Sequence, residues 1–158
     1  MGAREAVRCE TPMDFKVTTR RADSVLIIDL AGKFTAGEAL MSLRDTIRDE
    51  IAKGHNKILL NLKDLSYVDS SGLGELIMAL GTVEQMICAA CGATVFKDDE
   101  GNWDACPQCE GKERKAWGQL KLSNPGRQVT DLLQFTKLYT VFEVHESEQD
   151  ALASFRSR

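Results

Sequence analysis

Residues 58–80 read ILLNLKDLSYVDSSGLGELIMAL, and the organisation of the chain turns on them. The stretch KILLNL, residues 57–62, is a short apolar run, suited to a strand buried on both faces. Further on, Leu73, Leu76, Ile77 and Leu80 recur at helical spacing, so residues 63–69 read as a loop that leads into a helix. An acid and two hydroxyls, Asp69, Ser70 and Ser71, stand at that helix start. One reading is capping, with Ser70 or Ser71 accepting a bond from a free backbone N–H. The other is that a hydroxyl placed there receives phosphate.

Upstream, FKVTTRRADSVLIIDL alternates apolar residues on both sides of Ala22-Asp23-Ser24, which predicts an antiparallel hairpin. FTAGEALMSLRDTIRDEIAKG then predicts a helix. Thr35 and Glu38 form a capping-box pattern, Leu40, Leu43, Ile47 and Ile51 line one face, and Gly54 suits the C-terminal end. Downstream, GQLKL predicts a strand, and NPGRQVTDLLQFTKL a helix with Asn124 as N-cap and Pro125 in its first position. YTVFEV predicts a last strand and SEQDALASF a last helix, with Ala151, Leu152 and Phe155 inward. Strands alternating with helices after a hairpin predict an α/β domain with a mixed, mostly parallel sheet packed by helices.

One segment interrupts that order. Between Met86 and Gly118 the helical pattern stops and two Cys-x-x-Cys knuckles appear, Cys88/Cys91 and Cys106/Cys109, separated by 14 residues. Four thiolates at this spacing complete a closed tetrahedron, so the segment reads as a zinc-ribbon-like module with a structural zinc. The CAACG and CPQC knuckles also resemble those of rubredoxins, but the short gap between the pairs favours zinc over iron. Gly92 and Gly111 let the backbone turn around the metal, and Phe96 and Trp103 are expected to pack around the site. A closed four-thiolate site leaves no open position for catalysis. The expected division is residues 1–12 as a disordered leader, 13–86 with 118–158 as one discontinuous domain, and 87–117 as the inserted module.

Composition narrows the function. The chain has 158 residues, 43% of them hydrophobic, and a formal net charge of −4. The module carries four positive residues (Lys97, Lys112, Arg114 and Lys115) against six negative ones, so neither it nor the whole chain suggests nucleic-acid binding. No apolar run is long enough to span a membrane. The N-terminus has no signal-peptide core, which implies a cytoplasmic protein. Cys9, outside the knuckles, reads as a free thiol. No nucleotide-binding loop and no nucleophile elbow is present. His55 and His145 lie in no catalytic pattern, Asp64 has no visible metal partner, and the chain reads as a non-enzyme.

The stretch quoted above, with the hairpin before it and LQFTKLYTVFEV after it, resembles the STAS domain family of sulfate transporters and anti-sigma factor antagonists. DSSGLG is its most diagnostic part and resembles the bacterial soluble branch. The resemblance implies a switch protein that binds an anti-sigma factor serine kinase and is inactivated when that kinase phosphorylates a serine. A phosphoserine phosphatase would reset it. The family's phosphorylated position matches Ser70, with Ser71 the adjacent acceptor. Asp69, Ser70, Ser71, Gly72 and Leu73 would face the partner, together with Thr35, which stands where many members carry an aspartate. Other readings are an accessory subunit of a transporter or stressosome-like assembly, and a zinc- or redox-responsive regulator.

Overall fold

In the computed structural model, which describes residues 15–103 and 105–156, seven strands and four α-helices alternate. Strands β1 (Lys16–Ala22) and β2 (Val25–Phe34) form the predicted hairpin, turning at Asp23, whose φ is 56°. Helix α1 (Glu38–Ala52) leads to β3 (Lys57–Val68), and α2 (Ser70–Val83) follows directly. Two short strands, β4 (Met86–Cys88) and β5 (Arg114–Ala116), bracket the cysteine segment. Then come β6 (Gln119–Ser123), α3 (Arg127–Thr136), β7 (Glu143–His145) and α4 (Glu148–Arg156).

Five strands share one sheet in the order β1-β2-β3-β6-β7, with only the β1–β2 pair antiparallel. Strand alternation divides the apolar side chains between two faces. Leu26, Ile28 and Leu30 of β2 and Ile58, Leu60 and Leu62 of β3 join Leu43, Ile47, Leu73, Leu76, Val129 and Leu133 in the main core under α1, α2 and α3. Val25, Ile27 and Leu59 point the other way, onto Ala151 and Phe155 of α4. Complete burial of such side chains stabilises the fold by ~1.5–3 kcal/mol each.

Several boundaries differ from those the residues suggested. β3 does not stop at Leu62 but continues to Val68, paired with β2 down to Phe34↔Val68. Lys63, Asp64, Ser66 and Tyr67 are exposed there, so this half of the strand carries the polarity of a loop. The capping box at Thr35 does not form. Gly37 occupies the N-cap of α1 at φ 109°, without any side-chain cap, which leaves Thr35 two residues outside the helix. Similarly α3 begins at Arg127 with Gly126 as N-cap. Asn124 instead takes φ 54° and its side-chain amide donates to the Glu146 carbonyl, so Pro125 precedes the helix. Of YTVFEV only the last two residues, Glu143 and Val144, are strand, because Leu138–Thr140 forms a 3-10 turn after Lys137 ends α3 in the left-handed region. The expected leader and Cys9 lie outside the described residues.

The cysteine segment pairs its own ends. β4 and β5 form a separate antiparallel sheet, closed at its base by the Trp117 N–H on the Gln85 carbonyl at 2.7 Å. This stem enters after α2 and leaves at the start of β6, where Lys57 pairs with Gln119. The ribbon therefore stands at the end of the sheet opposite to Ser70, with the length of α2, ~20 Å, between them.

Candidate functional site

At the C-terminal end of β3, Val68 is buried and its backbone is clamped by one side chain from α3. The Val68 N–H donates to Gln128 Oε1 and Gln128 Nε2 donates to the Val68 carbonyl, both at 3.0 Å. β6 pairs only with the first half of β3, so this carboxamide satisfies backbone groups that a neighbouring strand would otherwise pair. The sequence carries no periodic signal for such a clamp, and Gln128 escaped the sequence reading.

The next residue turns the chain into α2. Asp69 is extended (φ −99°, ψ −174°) and its Oδ1 accepts the Gly72 N–H at 2.8 Å. The cap is thus Asp69, not Ser70 or Ser71. A carboxylate at this position also meets the positive end of the helix. Ser70 and Ser71 fall in the first two helical positions, both exposed. Gly72 is wedged against β2: a Cβ there would lie 2.2 Å from the Phe34 carbonyl oxygen and 2.9 Å from its ring. Leu73, at 6% exposure, belongs to the core. Because Phe34 pairs with Val68, Thr35 leaves β2 beside Asp69. The structure therefore gathers Thr35, Asp69, Ser70 and Ser71 at one edge, with Gly72 and Leu73 as packing beneath them.

The second cluster is in the ribbon. The sulfurs of Cys88, Cys91, Cys106 and Cys109 all lie within 4.8 Å of one another, the first and third buried, the other two exposed. Two cross-knuckle pairs are 3.6 Å (Cys88–Cys109) and 3.7 Å (Cys91–Cys106) apart. Tetrahedral Zn–S bonds of ~2.3 Å require sulfurs about 3.8 Å apart, so the four cysteines fit a metal ion. The knuckles repeat one design. The Gly92 N–H bonds the Cys88 carbonyl, and the Glu110 N–H bonds the Cys106 carbonyl. The left-handed residues are Gly92 (φ 81°) and Glu110 (φ 65°), so Gly111 is not the turning residue of its knuckle. Gly111 serves instead by size, since a Cβ would press within 3.3 Å of the Cys88 and Cys109 sulfurs.

As free thiols these groups perturb one another. N–H groups of Cys91 and Ala90 aimed at Cys88 hold its thiol down at about 7. Cys91 receives the Ala93 N–H, yet Cys109, burial and the other two sulfurs push it up to about 12. Four crowded sulfurs resist ionising together, and a divalent cation removes that conflict. Trp103 packs on Cys88, Val95 and Cys106 as expected, between the Lys97 ammonium (5.5 Å from its ring centroid) and the Arg114 guanidinium (4.6 Å). Phe96 does not pack. It is 77% exposed, because it alternates with Val95 and Lys97 and points away from the sulfur cluster.

Each described histidine lies beside a carboxylate. His145 Nε2 lies 2.7 Å from Glu143, and His55 Nε2 lies 3.5 Å from Glu50. Among the described residues no helix is long and apolar enough to cross a membrane.

The STAS domain family model matches residues 16–89. No curated protein sequence matches the chain. Among solved structures, an anti-sigma factor antagonist from Mycobacterium paratuberculosis superposes with a TM-score of 0.65 at 15% identity, over 94% of this chain and 99% of that one. The Bacillus cell fate determinant SpoIIAA in its phosphorylated form gives 0.52 at 21% identity, over 92% and 100%. The murine anion transporter Slc26a9 gives 0.51 at 15% identity, over 85% of this chain but 18% of the transporter. At these identities the likeness is one of fold. Residues 16–89, which hold the hairpin, β3 and the DSSG-bearing helix, match the STAS domain family model, and the chain is similar in fold to these solved structures.

Proposed function

We propose that the protein is a regulatory binding switch of the anti-sigma factor antagonist kind. It binds an anti-sigma factor serine kinase in the cytoplasm and is inactivated by phosphorylation of Ser70, which a phosphatase reverses. The observation that carries this reading is the division of labour at the start of α2: Asp69 provides the cap, and the neighbouring Ser70 side chain is exposed. A helix N-terminus tolerates the ~−1.5 to −2 charge that phosphate adds, so modification need not unfold the domain. The fold likeness to SpoIIAA, a protein solved in phosphorylated and unphosphorylated forms, supports the same reading. In an interface around Thr35, Asp69, Ser70 and Ser71, the added charge would oppose contact by desolvation and repulsion. The chain itself supplies no catalysis in this scheme; it is read in two states.

The ribbon is a separate inserted module, residues 87–117, that holds zinc through Cys88, Cys91, Cys106 and Cys109 as a structural ion. The test of the switch is intact-mass and peptide analysis of the protein from its native cells. Phosphate on Ser70, lost in Ser70→Ala, is expected. No phosphate on Ser70, with the protein held permanently by a transporter subunit, would replace the switch with the accessory-subunit reading.

A further inference from the structure

Helix α2 presents an unusual outer face. Ser70, Gly74, Ile77 and Gly81 follow one another at helical spacing, and Met78 lies beside them. Ile77 is 40% exposed, Met78 63%, and Met41 on the adjacent α1 49%. Gly74 and Gly81 sit in the helix interior, where glycine is costly relative to alanine. Neither has a positive φ, and a Cβ at either would meet nothing within 4 Å. Nothing inside the chain requires these two glycines. They are seven residues, ~10 Å, apart on one face, and leave the helix backbone open to close approach from outside.

The groove beside this face is a cavity of about 170 Å³ between α1 and α2. Its charges are unequal in availability. The Arg44 guanidinium is spent on Glu75, with contacts of 2.7 and 3.2 Å, and Glu75 is the only carboxylate lining the groove. Arg48 also lines it, is exposed, and makes no ion pair among the described residues. In a chain of net charge −4 this groove thus offers apolar side chains and one unspent cation.

We propose that the α1–α2 groove docks an acidic amphipathic helix of a partner protein. The helix seats its apolar ridge on Met41, Ile77 and Met78, approaches α2 closely at Gly74 and Gly81, and places a carboxylate on Arg48. Helix-in-groove docking reads anchors at such spacings. The choice of an acidic helix follows from Arg48, since a basic helix would bring two unpaired cations together. The link to signalling rests on the switch reading above. Ser70 heads the same stripe, so phosphate there would stand against the acidic helix and weaken docking.

The test uses the full chain, isotope-labelled, titrated with two synthetic helical peptides. Both carry leucine at i, i+3, i+4 and i+7; one is flanked by glutamates, the other by lysines. The glutamate peptide should shift the amide signals of Gly74, Ile77, Gly81 and Arg48 saturably, and the lysine peptide should bind at least about tenfold more weakly. Arg48→Glu should reverse that preference. Gly74→Ala with Gly81→Ala should raise the melting temperature through helix propensity yet weaken the peptide about tenfold or more, a combination that a purely structural role would not give. Shifts elsewhere, equal affinity for both peptides, or concentration-dependent shifts without peptide would overturn the proposal, the last by making the occupant a second copy. Ser70→Asp separates the two ideas. Weaker glutamate-peptide binding supports both, whereas unchanged binding in an otherwise specific groove leaves the docking site standing and counts against the switch.

Discussion

Asp69 Oδ1 accepts the Gly72 backbone N–H at 2.8 Å, and Ser70, between them in sequence, is left exposed. The helix cap is thereby assigned to Asp69, and Ser70 stands outside it. Asp69→Ala should cost the cap, ~0.5–2 kcal/mol, and Asp69→Ser should recover part of it. Ser70→Ala should change stability by no more than ~0.5 kcal/mol, as a surface substitution away from such features does. Urea denaturation of the three variants checks this. Equal losses at Asp69 and Ser70 would mean that the serine takes part in the cap after all.

Gly72 sets how closely α2 approaches the sheet. With a Cβ only 2.2 Å from the Phe34 carbonyl oxygen, Gly72→Ala must displace the helix start or the end of β2. The obstacle is backbone, so relief by a rotamer change is not open to it. Overpacking of this kind costs ~1–3 kcal/mol. Gly74→Ala, two residues on with open space around it, should be neutral or stabilising, and thermal melts of the pair measure the contrast.

The fold was legible where periodicity is strong. The hairpin, the alternation of strands and helices and the inward faces of α1 and α4 follow from apolar spacing that the core then uses; on α2, Leu73, Leu76 and Leu80 turn inward but Ile77 is 40% exposed. Capping residues were less legible. Thr35, Ser70 or Ser71, and Asn124 all have the right side chains, but Gly37, Asp69 and Gly126 hold the positions, because the chain's direction of entry decides which residue stands at the helix end. The second half of β3 carries the signature of a loop, since its solvent-facing residues are polar and only Leu65 and Val68 mark the buried side. The four cysteines were legible from spacing alone. The clamp of Gln128 on Val68 was not, because a contact between residues 60 apart has no local signature.

The hairpin and α4 are tied by charge. Arg20 bonds both Asp29 and Glu148, and Arg20 holds the Asp29 carboxyl below the ordinary carboxylate value. A depressed folded-state value means that the contribution is present above the unfolded value, ~3.9, and is lost as pH falls through the folded one. Stability should therefore decline below about pH 4 more steeply in the native chain than in Arg20→Leu. Both partners are partly exposed, so the difference at neutral pH should not exceed ~1 kcal/mol and should shrink in salt. Urea midpoints measured across acidic pH at two ionic strengths check the sign and the screening.

Metal should be visible through Trp103. Its ring packs on Cys88, Val95 and Cys106, while the other tryptophan, Trp117, lies at the stem. With one zinc per chain bound, a strong chelator should release the ion and shift the emission of a Trp117→Phe variant to longer wavelength, with recovery on adding zinc back. Because thiols ionise as metal binds, affinity should fall as pH is lowered. Elemental analysis finding iron, or reduced protein that binds no zinc, would remove the metal assignment.

The ribbon's dispensability is the sharpest test of the domain division. Its ends meet at the β4–β5 pair and the Trp117–Gln85 bond, and its small cluster of Cys88, Val95 and Cys106 is separate from both faces of the main sheet. Replacing residues 87–117 by a short Gly-rich loop removes no strand of the five-stranded sheet and no helix. It does remove the Trp117 carbonyl that accepts the Asn56 side chain at 3.1 Å, but leaves the Gln119 N–H on the Asn56 carbonyl at 2.7 Å and the Leu120 N–H on Glu84 at 3.0 Å. These bonds keep β6 in register beside β3. The deletion variant should unfold in one cooperative transition and lose at most ~1–2 kcal/mol, the scale of one or two hydrogen bonds. Chelator should then leave its melting curve unchanged, whereas the full chain should lose the ribbon's contribution. A molten or insoluble deletion variant would place the ribbon in the folding core and overturn the boundary.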